Sequence, residues 1–397
     1  VSGNYSTLEE VIRNNLIVDE GDPLNEILFN KSINNLKSLG IFKKVDTNIQ
    51  NGSDESLKIV DINVEERPSG EISLAAGFGT SGEVIGGGLK EKNFLGKGIN
   101  LDANLELTPE SIKGRFIYAK PNFRDTENTL FTSIKSSTTD LLTDSGYKTS
   151  ELGFSLGTKF EQFQNIFLSP EIDFLLEDLE TSSKASNTLK KQQGSYTDLY
   201  FNYSISQDLR DKRFRTESGY QTFFKQELPI ISDNSEFANA FEISKFAKLS
   251  TKSDMVGKIS FYAKTIMGLS DDVRVSKRLS VPSSKLRGFE RGKVGPVDNN
   301  DFIGGNHVTT LNLSATLPNI VEGLDNLDIG VFIDAANVWG VDYNSSLDDK
   351  STIRTSTGVA FNLLTPIGPL SFSFANPLTK ASSDKTETVR FRLGTQF

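Results

Sequence analysis

The chain has 397 residues, 36% hydrophobic and 24% charged, with a formal net charge of −9 and no cysteine; its mean hydropathy is −0.31. The acidic balance argues against general nucleic-acid binding, the missing thiols exclude disulfides, thiolate metal sites and cysteine nucleophiles, and no run approaches the roughly 18 consecutive apolar residues of a membrane helix. A membrane barrel stays open, since it needs apolar residues only at every second position, and 28 Phe against one Trp suit a lipid-facing surface.

The chain opens at Val1 with no signal peptide, and reads as a processed form or a piece of a longer protein. In "STLEEVIRNNL", Ser6 or Thr7 is placed to cap a helix, with Glu9 or Glu10 as the capping-box partner. "LNEILFNKSINNLKSLG" repeats the helical period through Leu24, Ile27, Leu28, Ile33, Leu36 and Leu39, and Gly40 supplies the stop. Two strand-like runs, "FKKVDTNIQ" and "SLKIVDINVEER", follow around Asn51-Gly52. Residues 1–68 are therefore expected to form one small α+β domain, closed by Pro68-Ser69-Gly70.

After Glu71 the helical period gives way to alternation. "ELGFSLGTKF" sets Leu152, Phe154, Leu156 and Phe160 against Gly153, Ser155, Gly157 and Lys159. "GPLSFSFANP" and the terminal "TVRFRLGTQF" alternate in the same way. Eleven such segments between Glu71 and Gly268, and five more from Gly304 to Phe397, predict an antiparallel transmembrane β-barrel of about 16 strands over residues 71–397. A soluble β-sandwich is the alternative, but its outer faces would carry more Lys and Glu.

Candidate reactive groups are few. His307 is the single histidine and no G-x-S-x-G elbow accompanies it, so a strand residue is the simpler reading. "SDD" at Ser270–Asp272 and "DNND" at Asp298–Asp301 lack EF-hand spacing and read as solvated loop acid. Gly86 to Gly88 lack the lysine and helix of a phosphate loop. No catalytic residue, metal or cofactor is expected.

The longest connection, Ser270 to Ile303, carries "VPSSKLRGFERGKVGP". With a helix-helix-strand-strand unit before the barrel, the chain resembles the BamA family of bacterial outer-membrane protein assembly factors. The resemblance runs through "GNYSTLEEVIR", "LGIFKKV", "VEERPSGE", "LRGFERGKVGP", "GGNHVTTLNLSATLP", "FIDAANVW" and "RFRLGTQF". It identifies residues 1–68 as the last POTRA (polypeptide-transport-associated) domain, with most of its first strand and the upstream domains outside the chain. It implies a barrel in the outer membrane and a POTRA domain in the periplasm. Its partners would be unfolded outer-membrane proteins, accessory lipoproteins docked on POTRA and outer-membrane lipids, with no nucleic acid.

The resemblance further implies that the long loop folds into the barrel through Arg287, Gly288 and Phe289. Arg287 would meet Asp334 on the inner wall, with Ser314, aligned with a second family carboxylate, at most a hydrogen-bond acceptor. Asp334 falls on the face opposite Ile329, Val331 and Ile333, so the cost of a charge in lipid also sends it to the lumen. The seam between first and last strands, Ile72–Gly79 and Thr388–Phe397, would open laterally and template client strands. Its candidate residues are Ile72, Ser73, Leu74, Gly79, Phe391, Leu393, Gly394 and Phe397. A two-partner-type secretion pore and a TamA-like translocation and assembly barrel are the competing readings.

Overall fold

The computed structural model describes the whole chain except Glu55, Ser81, Phe214, Ser345, Pro366, Ile367 and the stretches 251–253, 319–325, 348–350 and 394–397. The N-terminal domain contains α1 (Glu9–Arg13), α2 (Glu26–Ser38), β1 (Phe42–Asn51) and β2 (Lys58–Glu66), in that order. β1 and β2 pair antiparallel, and Ser2 bridges to Asn63 on the other side of β2 in the parallel sense. Ile12, Phe29, Ile33, Leu36, Ile62 and Val64 form the centre of the core.

Two local expectations are corrected. The buried face of α2 is Phe29, Ile33 and Leu36, while Ile27 is exposed. α1 takes Leu8 as its N-cap, with no side-chain cap. The Glu66 carboxylate instead accepts the Ser6 N–H at 3.0 Å and the Thr7 N–H at 2.7 Å. The Thr7 hydroxyl is engaged elsewhere, accepting from Asn93 Nδ2 at 2.8 Å.

The alternating segments form β3 (Gly70–Gly79), β4 (Gly82–Phe94), β5 (Ile99–Leu107), β6 (Ser111–Lys120), β7 (Thr129–Leu141) and β8 (Tyr147–Phe163). β9 (Ile166–Thr181), β10 (Gly194–Asp208), β11 (Gly219–Ser232), β12 (Glu236–Lys248) and β13 (Val256–Gly268) follow. The long loop holds a short hairpin of β14 (Val297–Asp298) and β15 (Asp301–Phe302). The last five are β16 (His307–Pro318), β17 (Leu327–Trp339), β18 (Arg354–Thr365), β19 (Gly368–Thr379) and β20 (Val389–Leu393). Without β14 and β15, sixteen of these strands close a barrel in sequence order, β20 returning to β3.

The described chain divides into two compact units. One comprises residues 1–74, 87–104 and 115–133. Within it, Leu8 N–H reaches Gly96 O at 2.8 Å and Asn122 Nδ2 reaches Asn14 O at 2.6 Å. Gly96 has φ +71°, and a β-carbon there would stand 1.9 Å from Ser6 O, so only glycine fits. The other unit comprises 75–86, 105–114 and 134–397. Its wall strands alternate as the period requires: on β17, Phe332, Asp334 and Ala336 are buried while Val331 and Ile333 are about half exposed. The half-exposed apolar face is the one that lipid covers.

Burial raises the Glu66 pKa, but the hydrogen bonds from Thr7 and Ser6 outweigh it, and the net displacement is downward. The stability this carboxylate contributes is present above its unfolded value of about 4.3 and is lost as pH falls through the lower folded value. Glu66→Gln should therefore flatten the acid limb of N-terminal domain unfolding, followed by limited proteolysis of the full chain. An acid limb identical to that of the parent would contradict the capping role.

Candidate functional site

The loop between β13 and β16 is not a solvent excursion. Val273, Leu279, Val281, Leu286, Phe289 and Val294 are buried in one cluster with Ala336 and Val338 of β17. An apolar loop packed on the inner wall still has backbone and charged groups to satisfy, and its arginines do so at separate points.

At the tip, Arg287 grips Asp334 in a fork: Nε donates to Oδ2 at 2.7 Å and an Nη to Oδ1 at 2.7 Å. The Arg287 N–H donates to the same carboxylate at 3.1 Å. Asp334 is fully buried, and the guanidinium lies 3.3 Å from the Phe332 ring centre. The Arg287 carbonyl accepts from Ser356 Oγ at 2.6 Å. Gly288 has φ +88°, and a β-carbon there would press within 3.3 Å of both Ala375 and Ser356, so the backbone approaches the wall because no side chain intervenes. Phe289 is almost wholly buried. Such a planar fork is the geometry that favours arginine over lysine.

On β16 the residue that bonds this pair is Asn312, whose Nδ2 reaches Asp334 Oδ1 at 2.9 Å and Lys285 O at 2.7 Å. Asn312 stands directly opposite Asp334 in the register. Ser314 lies two residues along the strand, opposite Phe332. Ser314 comes from the family resemblance; Asn312, two residues away on the same strand, is the one the sequence reading missed.

A second clamp holds the start of the loop. Arg274 and its acidic partners Glu177, Asp198 and Glu236 are all essentially without exposure. The distances are 3.1 Å to Glu177, 2.5 Å to Asp198 and 3.4 Å to Glu236. Burial works against the Arg274 charge, but Glu236, Glu177 and Asp198 outweigh it and raise its pKa further. Lys277 adds contacts to Glu151 at 3.1 Å and Glu177 at 3.3 Å. Arg278 meets Asp342 and Asn306. Asp298 is not solvated loop acid, as the sequence suggested. The β14–β15 hairpin turns it inward, where Ser186 donates at 2.6 Å and Tyr343 at 2.8 Å. Burial, then the bonded Asp298 carboxylate, pushes the Tyr343 phenol well above its ordinary value.

The seam joins β20 to β3. Among the described residues β20 and β3 share two register pairs, Arg392 with Gly79 and Leu393 with Phe78, and one further bond from Thr80 N–H to Phe391 O at 3.1 Å. Across the seam Phe78 lies 6.4 Å from Phe391 between ring centres, and on its other side Phe391 lies 4.9 Å from Phe372 of β19. Ile72, Ser73 and Leu74 lie further along β3, away from these pairs, and Ile72 and Leu74 are strongly exposed. Gly394 and Phe397 lie outside the described residues.

Residues 93–397 match the Omp85 superfamily domain. The chain belongs to the Omp85 superfamily. Residues 1–67 match the POTRA family, described as a surface antigen variable number repeat. An outer membrane protein assembly factor BamA from Neorickettsia risticii is 23% identical over 404 aligned residues, covering all of this chain and 54% of that protein. This chain spans about half the length of the curated relatives it matches. The crystal structure of BamA from Haemophilus ducreyi lacking POTRA domains 1–3 superposes with TM-score 0.84 at 22% identity, covering 100% of this chain and 83% of that one. CdiB from Escherichia coli superposes with TM-score 0.64 at 13% identity, covering 100% and 75%. Both share the fold of this Omp85 chain.

Two substitutions separate the clamps. Arg287→Ala strands a buried carboxylate with Asn312 as its polar neighbour, and should cost about 3 kcal/mol, the low end for a broken buried pair because Arg287 is about one-fifth exposed. A double-mutant cycle with Asp334→Ala tests it, and strictly additive effects would refute the coupling. Arg274→Ala removes the shared cation of three buried carboxylates, of which Glu177 keeps Lys277, so it should destabilise more than Arg287→Ala. The loop 269–306 should then become the first protease-sensitive site, and equal or smaller destabilisation would contradict the ranking.

Proposed function

We propose that this chain is the membrane part of an assembly factor that folds and inserts β-barrel proteins into the bacterial outer membrane. Residues 71–397 form its barrel, and residues 1–68 are the POTRA domain on the periplasmic side. The observation that supports this reading best is a closed sixteen-strand barrel, preceded by a POTRA-matching domain, in which the first and last strands β3 and β20 meet side by side. Strands in lipid need every backbone donor and acceptor paired, because each unsatisfied group costs several kcal/mol. The seam between the first and last strands is not bridged by any connecting loop, so an edge can be freed there, and an edge freed inside the bilayer offers an incoming strand the partners it lacks.

No covalent step or nucleotide enters this scheme. The machine lowers a kinetic barrier by presenting a paired edge to a client strand. In the periplasm β1 has a second edge with no strand partner among the described residues, which suits extended clients and accessory lipoproteins. The names of the curated relatives support an assembly role. A two-partner-type secretion pore shares the barrel plan, and it would move its client through the lumen instead of the wall.

The absence of native cysteine makes a decisive experiment straightforward. Phe78→Cys with Leu393→Cys places two thiols at register partners, where the backbone separation falls within disulfide range. In liposomes, oxidation should stop insertion of an unfolded client barrel and reductant should restore it. If the crosslinked protein inserts clients at the uncrosslinked rate, lateral templating is wrong and passage through the lumen is favoured.

A further inference from the structure

The approach to the last strand does not run free into the membrane. Residues 384–390 lie beside the loop segment 288–295 as a second, internal ribbon. Phe289 and Thr386 form an antiparallel bridge. Glu387 N–H donates to Gly288 O at 3.1 Å, Glu290 N–H to Lys385 O at 3.1 Å, and Lys385 N–H to Lys293 O at 3.0 Å. Gly295 N–H reaches Asp384 Oδ1 at 3.3 Å. Asp384 is itself fixed to Arg354 of β18 at 2.9 Å.

Arg390, the first lumen-facing residue of β20, fastens this ribbon. Its guanidinium donates to Phe289 O at 2.5 Å, to Ser283 O, and to the carboxylate of Glu387. The side chain is nearly buried. One planar group thus joins two separate turns of the loop to the last strand, and charge-assisted bonds of this kind are about twice as strong as neutral ones. The loop on the other side is tied through Arg287 to Asp334 on β17.

We infer that Arg390 is a latch: a positioning residue that ties the last strand to the lumenal loop and thereby sets how often the β3–β20 seam opens. The physical ground is that β20 is held on two sides. It pairs with β3, and it and its approach also meet the loop through a bridge, three backbone hydrogen bonds and two bonds from the Arg390 guanidinium. Moving β20 away from β3 therefore requires breaking the loop contacts or carrying the loop along. Beside the latch, a cavity of about 520 Å³ lined by Phe78, Phe391, Lys293 and Arg390 leaves room on the lumenal side. The Arg-Gly-Phe tip then grips β17 with its arginine side chain and the last strand with its backbone carbonyls. The inference rests on the seam being the working part, as proposed above.

The test reads seam geometry without any client. Thr80→Cys and Lys380→Cys, both exposed, take spin labels in the otherwise thiol-free chain in lipid nanodiscs, and dipolar spectroscopy gives the distance distribution across the seam. Labels at Glu180→Cys and Ile231→Cys, also exposed, span β9 to β11 as a control. Arg390→Ala should raise the long-distance, open population roughly tenfold, the loss of about one strong charged hydrogen bond. Arg390→Lys keeps the charge and can hold one carbonyl, so its rise should be smaller, and the control distances should stay fixed in both. An unchanged seam distribution in Arg390→Ala, or an equal broadening of the control pair, overturns the latch. If heat-modified mobility shows that Arg390→Ala does not fold, Arg390→Lys decides, and no rise in its open population overturns the proposal. A latch that passes while the oxidised Phe78–Leu393 disulfide leaves client insertion unaffected would sink the templating reading alone.

Discussion

Everything in this chain answers to one constraint: in hydrocarbon, a backbone N–H or C=O has no water to bond, so each must find a partner within the protein. Helices solve that locally, and no helix among the described residues is long and apolar enough to cross a membrane. Strands solve it only by closing on themselves. Once closure is imposed, the remaining features follow as consequences of where the ladder is long and where it is short. The long ladders, such as fourteen register pairs between β8 and β9, can be pulled apart only at great cost. The junction between β20 and β3 differs from the others in that its two strands are not consecutive in the chain, so no connecting loop holds them together.

Closure also creates an interior that must be filled. A barrel of sixteen strands is too wide for wall side chains alone to pack it, and here the long loop supplies part of the missing core. Apolar residues of the loop are interspersed with arginines, two of which find buried acids on different stretches of wall: Arg274 on β9, β10 and β12, and Arg287 on β17. Buried pairs of this kind add little net stability over a hydrophobic filling. What they add is position, because a misplaced loop would leave charges unpaired at low dielectric. The loop is thereby held as a fixed reference inside the barrel, against which the last strand is positioned.

Much of this could be read from the sequence, and the parts that could not have a common physical reason. The period-two pattern disclosed eleven strands before the loop and five after it, because lipid outside and water or loop inside impose opposite chemistry on neighbouring residues. The same logic put Asp334 indoors. Contacts between distant segments left no such trace. Glu177, Asp198 and Glu236 are scattered over three strands, and nothing in their local sequence says that one arginine gathers them. Arg390 sits in a pattern common to terminal barrel strands, so its bonds to Ser283 and Phe289 depend on the loop's path. In the POTRA domain the helical period was right, but the buried stripe of α2 runs through Phe29, Ile33 and Leu36, and two residues before Phe29 a helix turns Ile27 to the opposite, exposed side.

The claim that the β3–β20 seam is the labile junction of an otherwise tight barrel can be measured on the unmodified protein. Backbone amide hydrogen exchange in lipid nanodiscs, resolved strand by strand, ranks the junctions by how often each opens. A labile seam requires amides of Val389–Leu393 and Phe78–Thr80 to exchange at least roughly tenfold faster than those of β8 and β9. Equal protection of the seam and of the long ladders would contradict it.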